Sequence, residues 1–531
     1  MINPVRATRG IAVASHAMAA QSASAVLRDG GNALEAMIAA AATIAVVYPH
    51  MNGIGGDSFW LFSEPGKAPR AIDSCGAAAM AATREFYAGK GMTAIPMRGP
   101  LAANTVAGTI SGWELAYEVS REWGGKLSLQ RLLADAIGYA RDGIPVTASQ
   151  AASTSAKFSE LHLQPGFADT FLVDGSAPAE GSVFRQPRLA ATLERLAEAG
   201  LRDFYEGDLA KRIAADLERI GSPLRAGDLA RQRAALVTPV ALRHSRGMLY
   251  NMTPPTQGVI SLAILGALDR LGVDQVDPLS ADYIHLCVEA TKQAFLVRDA
   301  YVTDPAYMRV EAQSLLDPGR LDAMAGAVDR YRALSWGGAT EPGDTIWMGV
   351  IDGEGRAVSF IQSIYHEFGS GVVLADTGIN WQNRGCSFSL DPQALNALEP
   401  GRKPFHTLNP ALAVLDDGRT MVYGTMGGDG QPQTQAAVFS RYVQMGMGLQ
   451  EAVSAPRWLL GRTWGSMSES LKIESRFAPR VAEELRRRRH VVEVIGAYDE
   501  TVGHAGALVR HASGMMEGAF DPRSDGAVAG F

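Results

Sequence analysis

The feature that most constrains the fold of this chain is a change in hydrophobic pattern near residue 345. Residues 345–351 and 357–364 have the pattern of β-strands, and the turn Asp-Gly-Glu-Gly (352–355) between them favours an antiparallel hairpin. A second hairpin is predicted at 411–414 and 420–425, around the turn Asp-Asp-Gly (416–418). Paired antiparallel strands therefore dominate the start of the last third of the chain.

The chain before this point is mostly helical. Helices are predicted at residues 18–28, 34–48, 127–141, 189–199 and 283–302, and later at 433–447 and 481–489. A glycine turn at 52–56 leads into a short apolar strand, and a last strand is predicted at 490–495. From 313 to 344 the apolar periodicity weakens and turn residues accumulate, so we expect a loose, exposed connection there. Helices interspersed with antiparallel hairpins indicate an α+β layered architecture.

Composition excludes several classes of protein. The 531 residues are 47% hydrophobic and 20% charged, which is typical of a globular protein of more than one small module. The net charge of −7, with one short basic run at 486–489, argues against nucleic-acid binding. The N-terminus lacks the apolar core of a signal peptide, and the apolar run 36–48 is shorter than the about 20 residues that span a bilayer. We therefore expect a cytoplasmic protein that is not bound to a membrane.

Known cofactor and metal motifs are missing from the sequence. The three cysteines, Cys75, Cys287 and Cys386, are too far apart to pair as a recognisable framework, and the ten histidines show no paired metal-ligand spacing. There is no phosphate-binding loop, nucleophile elbow or dinucleotide fingerprint. We expect neither a cofactor nor a metal.

Six short blocks carry the functional information. They occur in the order found in gamma-glutamyltransferases, and the chain resembles that family from about residue 8 to its end. The blocks are Pro-His-Met-Asn-Gly-Ile-Gly-Gly-Asp-Ser-Phe (49–59), Asn-Met-Thr-Pro-Pro-Thr-Gln-Gly (251–258), Gly-Asp-Thr (343–345), Phe-Gly-Ser-Gly (368–371), Met-Gly-Gly-Asp (426–429) and Asp-Pro-Arg-Ser-Asp-Gly (521–526). Chance does not explain six blocks in this order.

The resemblance implies an N-terminal-nucleophile hydrolase with a four-layer αββα sandwich. Members of that family are made as inactive precursors that cut themselves before a threonine, and Thr345 matches it here. Cleavage between Asp344 and Thr345 gives a large fragment, 1–344, and a small fragment, 345–531, which together form one composite domain as a heterodimer, or as a pair of heterodimers. The freed α-amino group, with a pKa of about 7.7–8.0, can take the proton of the threonine hydroxyl. Without that context, Thr345 would be an ordinary threonine at the start of a strand.

Three further positions match catalytic residues of the family. Gly427 and Gly428 match the glycine pair whose N–H groups form the oxyanion hole, where a side chain would obstruct the tetrahedral oxygen. Ser363 stands where the family has a threonine whose hydroxyl bonds to the nucleophile's amino group. The structural alternatives are a plain turn for the glycines and a polar strand residue for Ser363.

The substrate-binding positions differ from the family pattern. Gamma-glutamyl enzymes bind an amino-acid head with an arginine, an asparagine, an acidic residue and a Ser-Ser pair. The segment 73–76 has no arginine, Tyr365 replaces the asparagine, and the acidic position falls at 386–387. The Ser-Ser pair becomes His406-Thr407. Losing contacts worth about 1.5–3 kcal/mol for each charged hydrogen bond predicts a different substrate.

The remaining polar candidates in the pocket are Arg384, Asn383, His406 and His50. A single arginine suits a small amide that carries a carboxylate and no amino group. This pattern resembles the oxamate amidohydrolase branch of the family, which has Pro-His-Met before its glycine turn and Asn-Arg-Gly after the second strand of its hairpin. Alternatively, Arg384 is a structural ion-pair residue and His406 a buried histidine with satisfied hydrogen bonds.

Three functions follow, with the amidohydrolase preferred. In that function Thr345 attacks a small amide, and water then hydrolyses the acyl-enzyme. The second is a gamma-glutamyl hydrolase or transferase that binds its donor through different residues. The third is a relative that has lost catalysis and acts as a binding protein.

Overall fold

Two seven-stranded antiparallel sheets form the centre of the molecule in a computed structural model, which describes residues 3–337, 344–461 and 468–531. The strands are β1 (Val5–Ala7), β2 (Gly10–Ala14), β3 (Asp57–Ser63), β4 (Arg70–Ser74), β5 (Ile144–Pro145), β6 (Val183–Phe184), β7 (Ala235–Val237), β8 (Val240–His244), β9 (Gly247–Asn251), β10 (Asp344–Asp352), β11 (Ala357–Tyr365), β12 (Ala411–Leu415), β13 (Thr420–Thr425), β14 (Trp458–Leu460), β15 (Leu471–Glu474), β16 (Val492–Ile495), β17 (Ala505–Arg510), β18 (Met516–Phe520) and β19 (Ala527–Gly530). The first sheet has the order β1-β18-β17-β13-β12-β9-β8, and the second has the order β19-β2-β10-β11-β3-β4-β7.

Helices cover the outer face of each sheet. They are α1 (Ala17–Arg28), α2 (Ala33–Val47), α3 (Arg84–Ala88), α4 (Thr109–Glu122), α5 (Leu129–Asp142), α6 (Ala148–Ala156), α7 (Phe158–Leu161), α8 (Phe167–Phe171), α9 (Pro187–Ala199), α10 (Asp203–Glu206), α11 (Asp208–Arg219), α12 (Ala226–Arg231), α13 (Gly258–Leu271), α14 (Ala281–Tyr301), α15 (Pro318–Gly326), α16 (Gly430–Phe439), α17 (Leu449–Ser454) and α18 (Pro479–Arg487). Helix α2 packs on β10 and β11 of the second sheet, whereas α13 and α16 pack on the first sheet. The predicted αββα sandwich is confirmed.

The central hairpin shows why the two sheets stack. Along β10 and β11, alternate side chains point to opposite faces, and both strands are buried on both faces. Trp347 and Ile361 lie in the apolar layer between the sheets, together with Val422 and Leu508 of the first sheet. Ile346 and Phe360, one residue away, instead join the apolar layer beneath the helices. Both faces of the hairpin therefore need a covering layer.

The predicted hairpins and the long early helices are confirmed, with ends displaced by a few residues. The prediction of a loose connection over 313–344 is wrong in its first half, because Ala312–Leu316 is a 3₁₀ helix and α15 follows it. Residues 338–343 of that segment lie outside the described residues. The predicted helix at 433–447 ends its regular α-helical part at Phe439 and continues as a π-helical turn over Ser440–Gln444.

Each sheet contains hydrogen-bonded neighbours from the two sides of residue 344. In the second sheet, β10 lies between β11 and β2, and β11 lies beside β3. In the first sheet, β12 lies between β13 and β9. The segments before and after residue 344 therefore form one shared core. Within the described part of the chain, the helices are all too short or too polar to cross a bilayer.

Candidate active site

Thr345 lies near the start of β10, in the interior of the molecule. Its side chain is fully buried, and its Oγ1 donates a long hydrogen bond of 3.5 Å to the Oγ of Ser363 on β11. The Ser363 hydroxyl also accepts a hydrogen bond of 2.8 Å from the N–H of Tyr365. The strand register is irregular at this point, because Asp344 pairs with Tyr365 whereas Ile346 pairs with Gln362. Thr345 therefore lies at an irregularity in the strand pairing and outside the regular register of the hairpin.

The glycine turn at 53–56 packs directly against this part of the hairpin. A Cβ atom on Gly56 would lie 2.0 Å from the carbonyl oxygen of Ser363, and one on Gly55 would lie 2.1 Å from the carbonyl oxygen of Asn380. Only glycine allows these backbones to approach so closely. The amide of Asn52 adds a hydrogen bond of 2.9 Å to the carbonyl of Gln362. The block 49–59 thus supports the strand that carries Ser363.

Gly427 and Gly428 form the turn between β13 and α16. Their φ angles are 114° and 51°, both in the left-handed region that favours glycine. Neither N–H group donates to another residue in the described part of the chain. The turn follows Gly424, whose Cα approaches the Trp347 indole so closely that a Cβ would lie 2.2 Å from it. Because Trp347 is two residues after Thr345, this contact packs β13, the strand that leads into the glycine turn, against the first half of β10.

Gln257 connects this turn to the large N-terminal part of the chain. Its side-chain Nε2 donates hydrogen bonds of 3.0 Å to the carbonyls of Gly428 and Thr407. Arg298 forms a buried ion pair of 2.9 Å with Asp429, the next residue of the turn. Residues that precede Asp344 therefore hold the backbone of a turn that follows it.

Arg384 is the dominant cation of the site. Its side chain is 1% exposed, and all three guanidinium nitrogens lack a hydrogen-bond partner among the described residues. The guanidinium stacks on the ring of Tyr365, 3.8 Å from the ring centroid. Burial lowers the pKa of Arg384, with an opposing effect from Tyr365 and Asp57, yet an arginine stays protonated in proteins. A buried, unpaired positive charge is costly unless an anion binds to it.

His406 faces the carboxyl of Asp57 beside this cation. Its Nε2 is 3.2 Å from Asp57 Oδ2, and both residues are fully buried. Burial, reinforced by Arg384, lowers the pKa of His406 well below its ordinary value, so its imidazole is neutral near pH 7. Burial raises the pKa of Asp57 to about 7, against the stabilising N–H groups of Gly76 and Gly108 and the charge of Arg384.

The other predicted binding residues differ in whether their side chains are available to a ligand. Thr407 is buried, and its hydroxyl lacks a partner among the described residues, so it can contact a ligand. Tyr365 adopts a positive φ of 81° and supports Arg384. Asn383 instead has a structural role: its Oδ1 accepts from the His366 N–H and its Nδ2 donates to the Met97 carbonyl. Both the oxygen and the nitrogen of its side-chain amide are therefore hydrogen-bonded to backbone groups.

His50 belongs to a different group of side chains. Its Nε2 is hydrogen-bonded to the Ser149 hydroxyl at 2.8 Å, and its ring lies 4.3 Å from that of Tyr48. Burial, followed by the charges of His504 and His16, lowers its pKa to about 3. These contacts give no support to the prediction that His50 binds the substrate with Arg384.

Sequence reasoning missed Asp57 and Gln257. Both lie inside blocks that carried the family resemblance, but neither has a recognisable spacing to the residues that it contacts. One signal for Asp57 was available: an acidic residue directly precedes the apolar strand Ser-Phe-Trp-Leu-Phe (58–62), where burial of a charge needs a reason. Gln257 offered no comparable signal.

The sandwich and its buried threonine beside a glycine turn define the N-terminal-nucleophile hydrolase class. The chain belongs to the gamma-glutamyltranspeptidase family, whose sequence model matches residues 19–531. It is 60% identical to the oxamate amidohydrolase proenzyme of Klebsiella pneumoniae over 525 residues, 99% of both chains. It is 41% identical to the glutathione hydrolase-like YwrD proenzyme of Bacillus subtilis over the whole length of both. Among solved structures, the cephalosporin acylase of Bacillus halodurans matches with a TM-score of 0.91 and 33% identity, covering 100% of this chain and 97% of that one.

Proposed function

We propose that this protein is a self-processing amide hydrolase that cleaves its chain between Asp344 and Thr345 and then hydrolyses a small carboxylate amide such as oxamate. The observation that carries the proposal is Arg384, a buried guanidinium without a hydrogen-bond partner among the described residues, stacked on Tyr365 at the end of the strand next to Thr345. The 60% identity to an oxamate amidohydrolase proenzyme supports the same substrate.

The proposed reaction uses Thr345 as nucleophile. Cleavage frees its α-amino group, which takes the hydroxyl proton while Oγ1 attacks the amide carbon. The N–H groups of Gly427 and Gly428 stabilise the negative oxygen of the tetrahedral intermediate. Ammonia leaves with the transferred proton, and a water molecule then hydrolyses the ester and restores the threonine. Ser363, 3.5 Å from the nucleophilic oxygen, orients the amino group.

The substrate proposal rests on charge and size. The guanidinium of Arg384 forms a two-point contact with one carboxylate, and Thr407 offers a hydroxyl that has no partner among the described residues. His406 is neutral, so it adds no second charge to the pocket. The side chains that bind an amino-acid head elsewhere in the family are replaced at Tyr365 and at the His406-Thr407 pair. An amide with one carboxylate and no ammonium group matches these residues.

The mature form is proposed to be a heterodimer of fragments 1–344 and 345–531, in the cytoplasm and with no need for a cofactor in catalysis. Denaturing gel electrophoresis of the purified protein should show both fragments, and Thr345→Ala should show only the intact chain. A single uncut band from the wild-type protein would contradict self-processing and favour an inactive binding protein.

The substrate is tested by comparing two assays on the same preparation. We expect ammonia release from oxamate to exceed p-nitroaniline release from a gamma-glutamyl anilide by at least about 100-fold in kcat/KM, because the charged contacts for the amino-acid head are missing. Thr345→Ala is the blank for both assays. Equal or faster turnover of the anilide would refute the oxamate proposal and favour the gamma-glutamyl alternative, which the 41% identity to a glutathione hydrolase-like protein supports.

A further inference from the structure

Three buried side chains with metal-binding chemistry converge beside the candidate active site. They are Asp57 at the start of β3, Cys75 just after β4, and His406 in the loop before β12. One ligand atom from each lies within 4.8 Å of those of the other two. Carboxylate, thiolate and imidazole together form a typical ligand set for zinc.

Two of the three residues have side-chain atoms without other partners among the described residues, whereas the Cys75 thiol donates a hydrogen bond of 3.5 Å to the carbonyl of Gly76. Asp57 Oδ2 and both ring nitrogens of His406 make no hydrogen bond within the described ranges, although Nε2 and Oδ2 are only 3.2 Å apart. A distance that short without hydrogen-bond alignment matches two ligands on one tetrahedral ion. With metal–ligand bonds of about 2.0–2.1 Å, such ligands lie about 3.3 Å from each other.

The surrounding backbone holds the ligand residues in place. Asp57 Oδ1 accepts hydrogen bonds of 2.9 Å from the N–H groups of Gly76 and Gly108, which leaves Oδ2 to face His406. A Cβ on Gly76 would lie 1.6 Å from the Val106 carbonyl oxygen, so the approach requires glycine. The backbone of His406 bonds to Pro255 and Gln257 on either side. Such outer contacts orient the ligands of protein metal sites.

A second cluster of similar composition differs from the first in its hydrogen bonds. His285, Glu289 and His490 also lie within metal-binding range of one another. There, however, both Glu289 oxygens accept hydrogen bonds, from Lys292 Nζ at 2.7 Å and from the Leu334 N–H at 2.9 Å. The two imidazoles are hydrogen-bonded to each other at 2.8 Å. The polar atoms of that cluster are thus satisfied by the protein itself, whereas in the described part of the chain Asp57 Oδ2 and the His406 ring nitrogens are not.

We propose that Asp57, Cys75 and His406 form a binding site for a thiophilic divalent cation, with zinc as the best match and water as the fourth ligand. The thiol loses its proton to solvent when the metal–sulfur bond forms, so a thiolate and a carboxylate balance the charge of the ion. The Arg384 charge next to the site is left for an anionic substrate.

Titration of the metal-free, untagged protein with Co²⁺ tests the site directly. We expect a thiolate-to-cobalt absorption band and tetrahedral visible bands that saturate at one equivalent and disappear when zinc is added. Cys75→Ser should abolish the thiolate band, and Asp57→Asn should weaken binding at least tenfold. Cys287→Ser and His490→Gln are matched controls that should leave the titration unchanged. Uncleaved Thr345→Ala protein should bind cobalt as well, so the result is independent of the proposed function.

X-ray absorption of the zinc-loaded wild-type protein avoids any dependence on the folding of variants. One sulfur at about 2.3 Å and nitrogen or oxygen neighbours at about 2.0–2.1 Å are expected. The proposal would be overturned by a zinc coordination shell without sulfur. It would also be overturned by cobalt binding that does not saturate, or by a thiolate-to-cobalt band that persists in Cys75→Ser.

Discussion

At the scale of single residues, Arg384 is the most informative side chain. A buried guanidinium usually forms an ion pair, as Arg298 does with Asp429 and Arg523 does with Glu474. Arg384 is as deeply buried and has stacking on Tyr365 as its principal support. Burying an unpaired charge costs free energy that a bound anion would recover, and the proposed role of Arg384 in substrate binding rests on this cost.

This reasoning predicts opposite effects of Arg384→Met on activity and stability. We expect kcat/KM for oxamate to fall at least about 100-fold, since removing one partner of a buried charge pair costs about 2–5 kcal/mol. The melting temperature without substrate should stay the same or rise, because an apolar side chain of similar length removes the unpaired charge. Both quantities are measured on the same preparation, by ammonia release and by thermal unfolding.

Arg441 provides the matched control. It is equally buried and stacks on Tyr283 and Trp458, but its guanidinium donates to the carbonyls of Pro278 and Pro456. Arg441→Met should therefore lower the melting temperature and leave the KM for oxamate unchanged. An unchanged KM and kcat in Arg384→Met would show that Arg384 is structural.

At the scale of elements, the turn between β13 and α16 carries the two glycines that we propose as the oxyanion hole. Gly427 has a φ of 114°, which an L-residue reaches only with strain, and the Gly428 carbonyl is held by Gln257. The turn is thus constrained by its own conformation and by a contact from the other side of residue 344. A displaced N–H group loses most of its effect on the transition state, which is sensitive to small changes in donor position.

We predict that Gly427→Ala lowers kcat about 100- to 1,000-fold with little change in KM, the loss expected for one oxyanion-hole donor. Steady-state ammonia release separates the two parameters. Gly446→Ala is the control, because Gly446 has a φ of 74° and open space around its Cα, far from any predicted site residue in sequence. It carries the same kind of backbone strain and should leave kcat unchanged; an equal loss of kcat in both variants would contradict the assignment.

At the scale of the whole molecule, strands from before and after residue 344 are paired within each sheet, and this pairing limits the structural effect of cleavage. β10 remains hydrogen-bonded to β2 and β11 after a cut before Thr345, and β12 remains paired with β9. Both apolar layers between sheets and helices contain residues from either side of the cut. Cleavage thus changes the chemistry at Thr345 without opening the core.

We therefore predict that the two fragments stay together after processing. Size-exclusion chromatography with light scattering should give the same native mass per 531 residues for the cut wild-type protein and for uncut Thr345→Ala. Denaturant should be needed to separate fragments 1–344 and 345–531. Separate elution of the fragments in native buffer would contradict the shared core.

Buried histidines make the stability of the molecule depend on pH. Burial lowers the pKa of His16 and His504 to about 4 and that of His50 and His490 to about 3. In the unfolded chain their pKa is about 6.5, so below pH 6.5 the unfolded state takes up protons that the folded state does not. Each such histidine lowers the free energy of unfolding by up to about 1.4 kcal/mol per pH unit. Burial raises the pKa of some carboxyls, such as that of Glu500 to about 7, and these groups increase the free energy of unfolding as the pH falls. Fewer carboxyls than histidines show a shift of this size.

The predicted outcome is a lower melting temperature for uncut Thr345→Ala at pH 5.5 than at pH 7.5. His490→Gln, which removes one of the four groups, should make this dependence shallower. A melting temperature that rises on acidification would show that the carboxyls with a raised pKa have the larger effect.

The sequence by itself determined the family, the hairpin that begins at Thr345, and the early helices. These depend on local periodicity, on turn residues such as Asp352 and Gly355, and on short ordered blocks, all of which are properties of neighbouring residues. It also made Arg384 a candidate binding residue, because a difference from the family pattern at a single position is visible in the sequence.

Only the tertiary structure decided which of the candidates meet. It gave His50 a hydrogen bond to Ser149, gave the amide of Asn383 a backbone role, and brought Asp57, Cys75 and His406 together. His406 follows Cys75 by more than 300 residues, so no spacing in the sequence reports their contact. The physical reason is that two stacked sheets bring strand ends from distant parts of the chain to one edge. Hydrogen bonds and burial at that edge depend on neighbours in space, which local sequence does not encode.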